Sequence, residues 1–310
     1  MDDSARALVF VSKAARLWPN QRLSELQTKL LSFLLLMQED DGKFHNFMDF
    51  SQKISDESTV GDHLGRAIWA TGRIINSDLP TGMRASARLI FDRALPWVRE
   101  STSPRTKAYA CLGLHERLRS ETEDANLMIN LKEIADSLVT LYSQNRVSDW
   151  EWFENILTYD NARLSQALLA AYESIRRQVY LQVAEESLLF LRRITTINEV
   201  FVPIGNQGWY VKGGRRAFYD QQPIEAGSMV EATTLARRVT KSGSYEQDIR
   251  RALGWFLGLN TKSIKLYDES TGACSDGINE VGLNENQGAE STLAFLLAAE
   301  AFIENLGNER

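Results

Sequence analysis

Two kinds of helix alternate along this chain, and that alternation limits the fold more than any other feature. Segments such as GAESTLAFLLAAEAFIE (288–304), ARLSQALLAAY (162–172) and AYACLGL (108–114) are rich in alanine and apolar on most sides. A helix that is apolar nearly all round belongs inside a protein. Between them lie helices with a single apolar stripe. In LMINLKEIADSLVTLY the stripe is Leu127, Leu131, Ile134, Leu138 and Leu141, at helical steps of three and four; in 22–37 it is Leu23, Leu26, Leu30, Phe33 and Met37. Inner helices are predicted near 4–17, 62–75, 104–118, 160–175, 222–238 and 287–304, and outer ones near 22–38, 82–100, 123–145, 180–194 and 244–258. Repetition at this spacing signals stacked helical hairpins. Six inner helices favour a closed ring over an open solenoid, which would show a tighter repeat and polar capping helices. Strand signals are few: FVPIGNQGWYVKGG and KLYDESTGACSDG read as short hairpins in loops. No Pro- or Ser-rich linker divides the sequence, so 1–310 is expected to be a single domain.

Composition excludes several functions. The net charge is −6 and the basic residues are scattered, which argues against nucleic acid, whose phosphates need clustered Lys and Arg. Cys111 and Cys274 are the only cysteines, too far apart to suggest a disulfide framework, and His45, His63 and His115 are not spaced with them as metal ligands. Neither a metal nor another cofactor is expected. No run of residues is apolar enough to cross a bilayer, and the start lacks the pattern of a secretory signal. The expected location is the cytoplasm.

What remains to be explained is a block of polar chemistry that returns before the inner helices. It reads GDHLGRAIWA at 61–70, YDNARLSQALLAAY at 159–172, YDQQPIEAGSMVEA at 219–232 and NENQGAESTLAFLLA at 284–298. In a ring of hairpins the inner helices run in one direction, and their N-termini share a face. Each N-terminus offers unpaired N–H groups and a partial positive charge. Asp62, Asp160, Asn161 and Asn286 are good capping types. Capping explains one polar residue per helix, not the surplus. EWFENILTYDNAR spends Glu151, Trp152, Glu154, Tyr159, Asp160, Asn161 and Arg163 in one stretch, and GNQGWYVKGGRRAFYDQQPIEA spends Trp209, Tyr210, Asp220, Gln221, Gln222 and Glu225 in another. Aromatic faces beside amides and carboxylates suit sugar rings: the aromatic lies under the C–H face while the polar groups bind hydroxyls.

The order DGKFHNF, GDHLGRAIWA, YDNARL, PIGNQGWY, YDQQPIEA and NENQGAESTLAFLLA resembles a bacterial family of (α/α)6-barrel, six-hairpin glycosidase-like proteins, over roughly residues 22–304. Members are often associated with group 1 glycosyltransferases. The resemblance implies an all-α fold, an (α/α)6 toroid of helical hairpins with short β-hairpins in its loops, and a sugar cleft at the inner N-termini. It leaves the reaction open, since the wider superfamily includes hydrolases, lyases, phosphorylases and epimerases.

Glycoside hydrolysis needs one carboxylic acid and one carboxylate. Asp62 and Asp160, at helix starts beside Arg66 and Arg163, suit the ionised base; Glu151, between Trp150 and Trp152, suits the protonated acid, with Glu154 next. The leading expectation is metal-independent hydrolysis of a glycosidic bond, with inversion, through Asp62, Asp160 and Glu151. His45, His63, Arg66, Trp152, Glu154, Asn161, Arg163, Trp209, Tyr210, Gln221, Gln222, Glu225, Glu285, Asn286 and Gln287 are the expected substrate contacts, with Glu290 one turn into the last helix. Two alternatives stay open. A sugar epimerase or isomerase would use His63, paired with His45, on a ring-opened sugar. A non-catalytic glycan-binding partner of a glycosyltransferase would keep the polar blocks without a spaced carboxyl pair. An oligosaccharide or glycoconjugate is the expected ligand in each case.

Overall fold

A computed structural model describes residues 1–307. Eleven α-helices fill it in chain order: α1 (Asp2–Leu17), α2 (Gln21–Leu36), α3 (Asp62–Ile75), α4 (Thr81–Ala94), α5 (Pro104–Leu118), α6 (Ala125–Asn145), α7 (Ala162–Ile175), α8 (Gln178–Thr195), α9 (Pro223–Thr240), α10 (Glu246–Phe256) and α11 (Ala289–Gly307). Three two-stranded antiparallel ribbons lie in the loops. They pair β1 (Ile156–Leu157) with β4 (Tyr210–Val211), β2 (Thr196–Ile197) with β3 (Val200–Phe201), and β5 (Gly277–Ile278) with β6 (Leu283–Asn284). None of the described helices is long and apolar enough to cross a membrane.

The inner and outer characters read from the sequence hold at the level of burial. Every residue of α3 after Asp62 is buried, as are residues 162–171 of α7, whereas α2 buries only Gln27, Leu31 and Leu34. The stripe of α2 is thus rotated from the expected one, and Leu26 faces water. Leucines crowd both sides of this helix, so its apolar phase is ambiguous until a neighbour is present. The segment 82–100 breaks in two: α4 ends at Ala94 and a 3₁₀ turn follows (Leu95–Arg99), because Pro96 cannot supply the N–H of a continuing α-helix. The stretch FVPIGNQGWYVKGG turns on itself where the Trp209 N–H donates to the Gly205 carbonyl, but its strand pairs elsewhere: Tyr210 and Val211 pair with Leu157 and Ile156, and the Lys212 N–H donates to the Asn155 carbonyl.

The chain falls into two compact units, 1–138 with 170–176, and 139–169 with 177–310. The first is built on α3 and α5, whose axes approach through glycines: a Cβ on Gly72 would lie 2.2 Å from the carbonyl oxygen of Gly113. The second is built on α9, packed by α10 and α11, with Trp255 and Phe256 fully buried beneath.

Candidate functional site

In the second unit the richest polar cluster is made by the chain entering α7. The Asn161 amide folds back on Thr158, accepting its N–H at 3.2 Å and donating to its carbonyl at 2.7 Å. Asp160 between them has φ 49, the left-handed region that Asp and Asn tolerate better than most residues. That turn aims the Asp160 N–H at Glu225 Oε1, while Glu225 Oε2 accepts from Asn161 Nδ2 at 2.8 Å. Glu225 lies in the first turn of α9, where the helix dipole favours a carboxylate. One turn into α7, the Arg163 guanidinium forks: Nη2 donates to Glu231 Oε2 at 2.9 Å, Nη1 to Gln166 Oε1 at 2.5 Å, and Nε lies 3.4 Å from Asp160 Oδ2. Asp160 is fully buried, and Asn161, Arg163, Glu225 and Glu231 are no more than 7% exposed. Charges taken this far out of water persist only when each has a partner. Glu231 was not among the expected site residues. Its signal was available: a glutamate inside an Ala-rich helix that is apolar on most sides requires a buried counter-charge.

The remaining expected residues of this unit divide by environment. Gln221 is fully buried with both ends of its amide engaged: Oε1 accepts from Trp255 Nε1 at 2.9 Å and Nε2 donates to the Phe218 carbonyl and Thr261 Oγ1. It ties a loop to the core. Gln222 is the N-cap residue of α9 and half-buried. Glu151, expected between tryptophans in apolar surroundings, instead forms an ion pair with Arg193 at 2.6 Å. Trp152 is core, edge-on to Phe153 and stacked on Phe190. Tyr210 meets Trp150 edge-on at 5.1 Å, Trp209 holds the turn beside it with φ 57, and Glu154 is half-buried, its carbonyl accepting from Trp150 Nε1. Ahead of α11, Glu285, Asn286 and Gln287 are exposed. Asn286 does not cap α11; its amide donates to Asp276, and Gln287 donates to Asp268. Asp276 is the organiser the sequence did not flag. Burial raises its pKa, but hydrogen bonds from Ser291, Asn286 and the Gly288 N–H outweigh that and hold it below the ordinary carboxylate value.

In the first unit Asp62 opens α3 behind Gly61, which is the N-cap. Its Oδ1 accepts from Ser103 Oγ at 2.6 Å and Thr106 Oγ1 at 2.8 Å, while Ser103 also caps α5 through the Arg105 and Thr106 N–H groups. One carboxylate thus joins two helix starts. Arg66 donates to Asp2 at 2.5 Å and lies over the Tyr109 ring at 4.7 Å. Burial raises the Asp2 carboxyl, but Arg66 and Arg6 together bring it below its ordinary value. Asp2 and Thr106 carried no distinguishing sequence signal, and Ser103 only that of a helix cap. His63 Nε2 lies 3.2 Å from Thr59 Oγ1 and 3.3 Å from the Phe44 carbonyl. His45 spans Glu39 Oε1 (2.6 Å) and the Asp56 carbonyl (2.8 Å), and the Glu39 hydrogen bond raises its pKa. His115, toward the C-terminal end of α5, is held by Ser174 and Glu173. Among the described residues, no group of three or more His, Cys, Asp or Glu side chains is placed to hold a metal ion.

No protein-family model matches the sequence, and no curated protein does. Solved structures do match over nearly the whole chain. A D-mannose isomerase aligns with TM-score 0.71 and 11% identity over 97% of this chain and 87% of its own. A sugar epimerase from a ruminal bacterium aligns with TM-score 0.73 and 9% identity over 96% and 86%. A family-76 α-1,6-mannanase from Salegentibacter aligns with TM-score 0.63 and 12% identity over 98% and 89%. This chain has their all-α, (α/α)6 six-hairpin fold. At such identities the likeness concerns the backbone, and the chemistry rests on the side chains described above.

Proposed function

We propose that the protein is a carbohydrate-active enzyme that hydrolyses a glycosidic bond with a pair of carboxyl groups. The observation that carries this reading is the gathering of Asp160, Glu225 and Glu231 around the start of α7, with Arg163 between two of them. Glycosidic cleavage requires one carboxyl group that gives a proton to the leaving oxygen and another that activates water or attacks; in the inverting form the two stand roughly 6.5–9.5 Å apart. No metal is needed for that chemistry. Within this cluster, Glu225 and Glu231 are assigned the acid and base, and Asp160, whose carboxylate is fully buried, positions Arg163. Arg163 holds Glu231 and Asp160 in place through a planar fork. Gln222, half-buried at the start of α9, is assigned to a substrate hydroxyl, and Asn161 orients Glu225. In the first unit Asp62, braced by two hydroxyl donors, is a further carboxylate candidate.

The fold is shared with structures described as an isomerase, an epimerase and a mannanase, which supports a sugar or oligosaccharide as the ligand. The histidines favour the hydrolytic reading over epimerisation. His45 has both ring nitrogens bonded within its own loop, and His115 is held at the far end of α5, so no second histidine is prepared to work opposite His63. A glycosyltransferase as partner, operation of 1–310 as one domain and a cytoplasmic setting complete the proposal.

One experiment separates the readings. The protein is incubated with a panel of oligosaccharides in deuterated water, and products are followed by NMR and by new reducing ends. Hydrolysis gives new reducing ends, lost by at least about a hundredfold in Glu225→Gln and Glu231→Gln. Deuterium at the carbon beside the sugar carbonyl, without cleavage, would replace this reading with epimerisation. Binding with neither change would make the protein a glycan-binding module.

A further inference from the structure

The chain leading into α9 carries side chains that the carboxylate cluster does not use. Residues 205–209 make one turn, closed by the Trp209 N–H on the Gly205 carbonyl. That turn is fastened to the segment just ahead of α9. The N–H groups of Gly205, Asn206 and Gln207 donate to the carbonyls of Ala217, Asp220 and Tyr219, and the Ala217 N–H donates to the Trp209 carbonyl. Trp209 sits at φ 57, a conformation that bulky residues rarely adopt and that persists only where the surroundings impose it. The backbone of this turn is thus fixed, yet its side chains are unspent. Trp97, Trp150 and Trp255 each donate an indole N–H to a protein acceptor. The aromatics near Trp209 each have a partner on the ring: Tyr210 meets Trp150, Phe218 lies under Arg216 at 4.8 Å, and Tyr219 lies under Lys262 at 5.2 Å. Trp209, half-buried, has neither kind of contact among the described residues, and the side chains of Asn206, Gln207 and Asp220 make no hydrogen bond or ion pair there.

We propose that Trp209 is the aromatic platform of a sugar subsite, with Asn206, Gln207 and Asp220 as hydroxyl partners, holding a unit of an oligosaccharide beside the one that is cleaved. The proposal rests on the glycosidase reading above and extends it to substrate length. Its location follows from the pairing of the chain. Tyr210, the next residue, pairs with Leu157, and Leu157 lies three residues before Asp160, whose N–H binds Glu225. Three residues reach at most about 11 Å and paired strands lie about 5 Å apart, so Trp209 stands within roughly 20 Å of Asp160. On its other side the turn is fastened to Asp220, two residues before Gln222, the N-cap of α9. Both connections run into the carboxylate cluster. The chemistry selects the occupant. One ring, one carboxylate and two amides set donors and acceptors beside a flat apolar face, the combination that a pyranose with its rim of hydroxyls requires. Because the backbone is already fixed, little ordering remains to be done on binding. Val211 and Phe218 of the same segment are about half exposed, which makes a second copy of the chain the competing occupant.

The test is fluorine NMR of the protein carrying 5-fluorotryptophan, titrated with gluco- and manno-oligosaccharides graded in length from disaccharide upward. The Trp209 resonance is identified by its disappearance in Trp209→Phe, and circular dichroism verifies that each variant folds. The expected result is a shift of that resonance on titration. Affinity for the longer chains should fall about five- to tenfold in Trp209→Ala and about two- to threefold in Asn206→Ala and Gln207→Ala, with Trp209→Phe close to wild type. The two amide variants remove side chains that bond no protein group, so they keep the test open if Trp209→Ala does not fold. Binding by wild type with a stationary Trp209 resonance and unchanged affinity in these variants would overturn the proposal and leave the carbohydrate reading standing. Neither binding nor cleavage of any chain by wild type would end both. A wild-type dimer by light scattering that Trp209→Ala dissociates would identify a second copy as the occupant and refute the sugar.

Discussion

Arg163 is where the energetics of the second unit concentrate. It faces Asp160 and Glu231 where water does not reach, so its removal takes a hydrogen-bonded cation from two buried carboxylates. Arg163→Met is expected to cost about 3–5 kcal/mol, read from the urea midpoint, because breaking a buried ion pair from one side is far more costly than losing a surface pair. Arg163→Lys is expected to recover only part of this: an ammonium keeps the charge but cannot make the fork that reaches Glu231, Gln166 and Asp160 together. Asp160, Asn161, Arg163 and Glu225 were legible one-dimensionally because they crowd helix starts. Nothing in one dimension distinguishes them from Gln221, in the same polar block as Glu225, which is spent on Trp255 and two loop contacts. A polar side chain looks the same in one dimension whether a ligand or the protein satisfies it.

Helix contact in the first unit depends on the absence of side chains. Gly72 of α3 faces the carbonyl of Gly113 in α5, and a methyl group there would stand 2.2 Å from it, inside any possible contact. Gly72→Ala is therefore expected to destabilise by roughly 3 kcal/mol or more, seen as a lowered thermal midpoint, because two backbones must separate to admit it. Gly82→Ala is the control: nothing lies within 4 Å of its added carbon on α4, and alanine's better helix propensity should leave stability unchanged or raise it by up to about 1 kcal/mol. The starts of α5 and α6 fell within two residues of those expected, and local chemistry sets them: Asp124 accepts the Asn126 and Leu127 N–H groups to open α6, and Ser103 does the same for α5. The stop at Pro96 was not read, and 82–100 was expected as one helix. The facing of α2 was not legible, because Leu34, Leu35 and Leu36 offer consecutive apolar positions and only a neighbour selects among them.

The whole molecule should be acid-labile in a defined window. Burial raises the Glu116 carboxyl, but Arg73, with His115 and Arg119, brings it down from 4.5 to about 2. Asp2, Asp276 and Glu121 are lowered in the same sense. A carboxyl group with a depressed folded pKa binds its proton more readily in the unfolded chain, so its stabilisation is present above the unfolded value and lost as pH falls through the folded one. Glu116 alone contributes on the order of 3 kcal/mol. Urea midpoints measured from pH 7 downward should hold until about 4.5 and then fall steeply toward 2, and Glu116→Gln should flatten that fall. His45 acts in the opposite direction: its pKa is raised by Glu39, so its small contribution is full below 6.5 and fades as pH rises through the folded value.

At this scale the division between sequence and tertiary structure has a physical basis. The all-α class, the inner and outer characters of the helices and their near-complete boundaries follow from periodicity and capping, which are properties of neighbours along the chain. Partnership between distant side chains is a property of neighbours in space. Only the folded molecule decided that Arg66 faces Asp2, that Glu151 is taken by Arg193, and that Glu231 joins Arg163. Each pairing is set by which helices pack, and a buried charge takes whatever counter-charge that packing brings within reach.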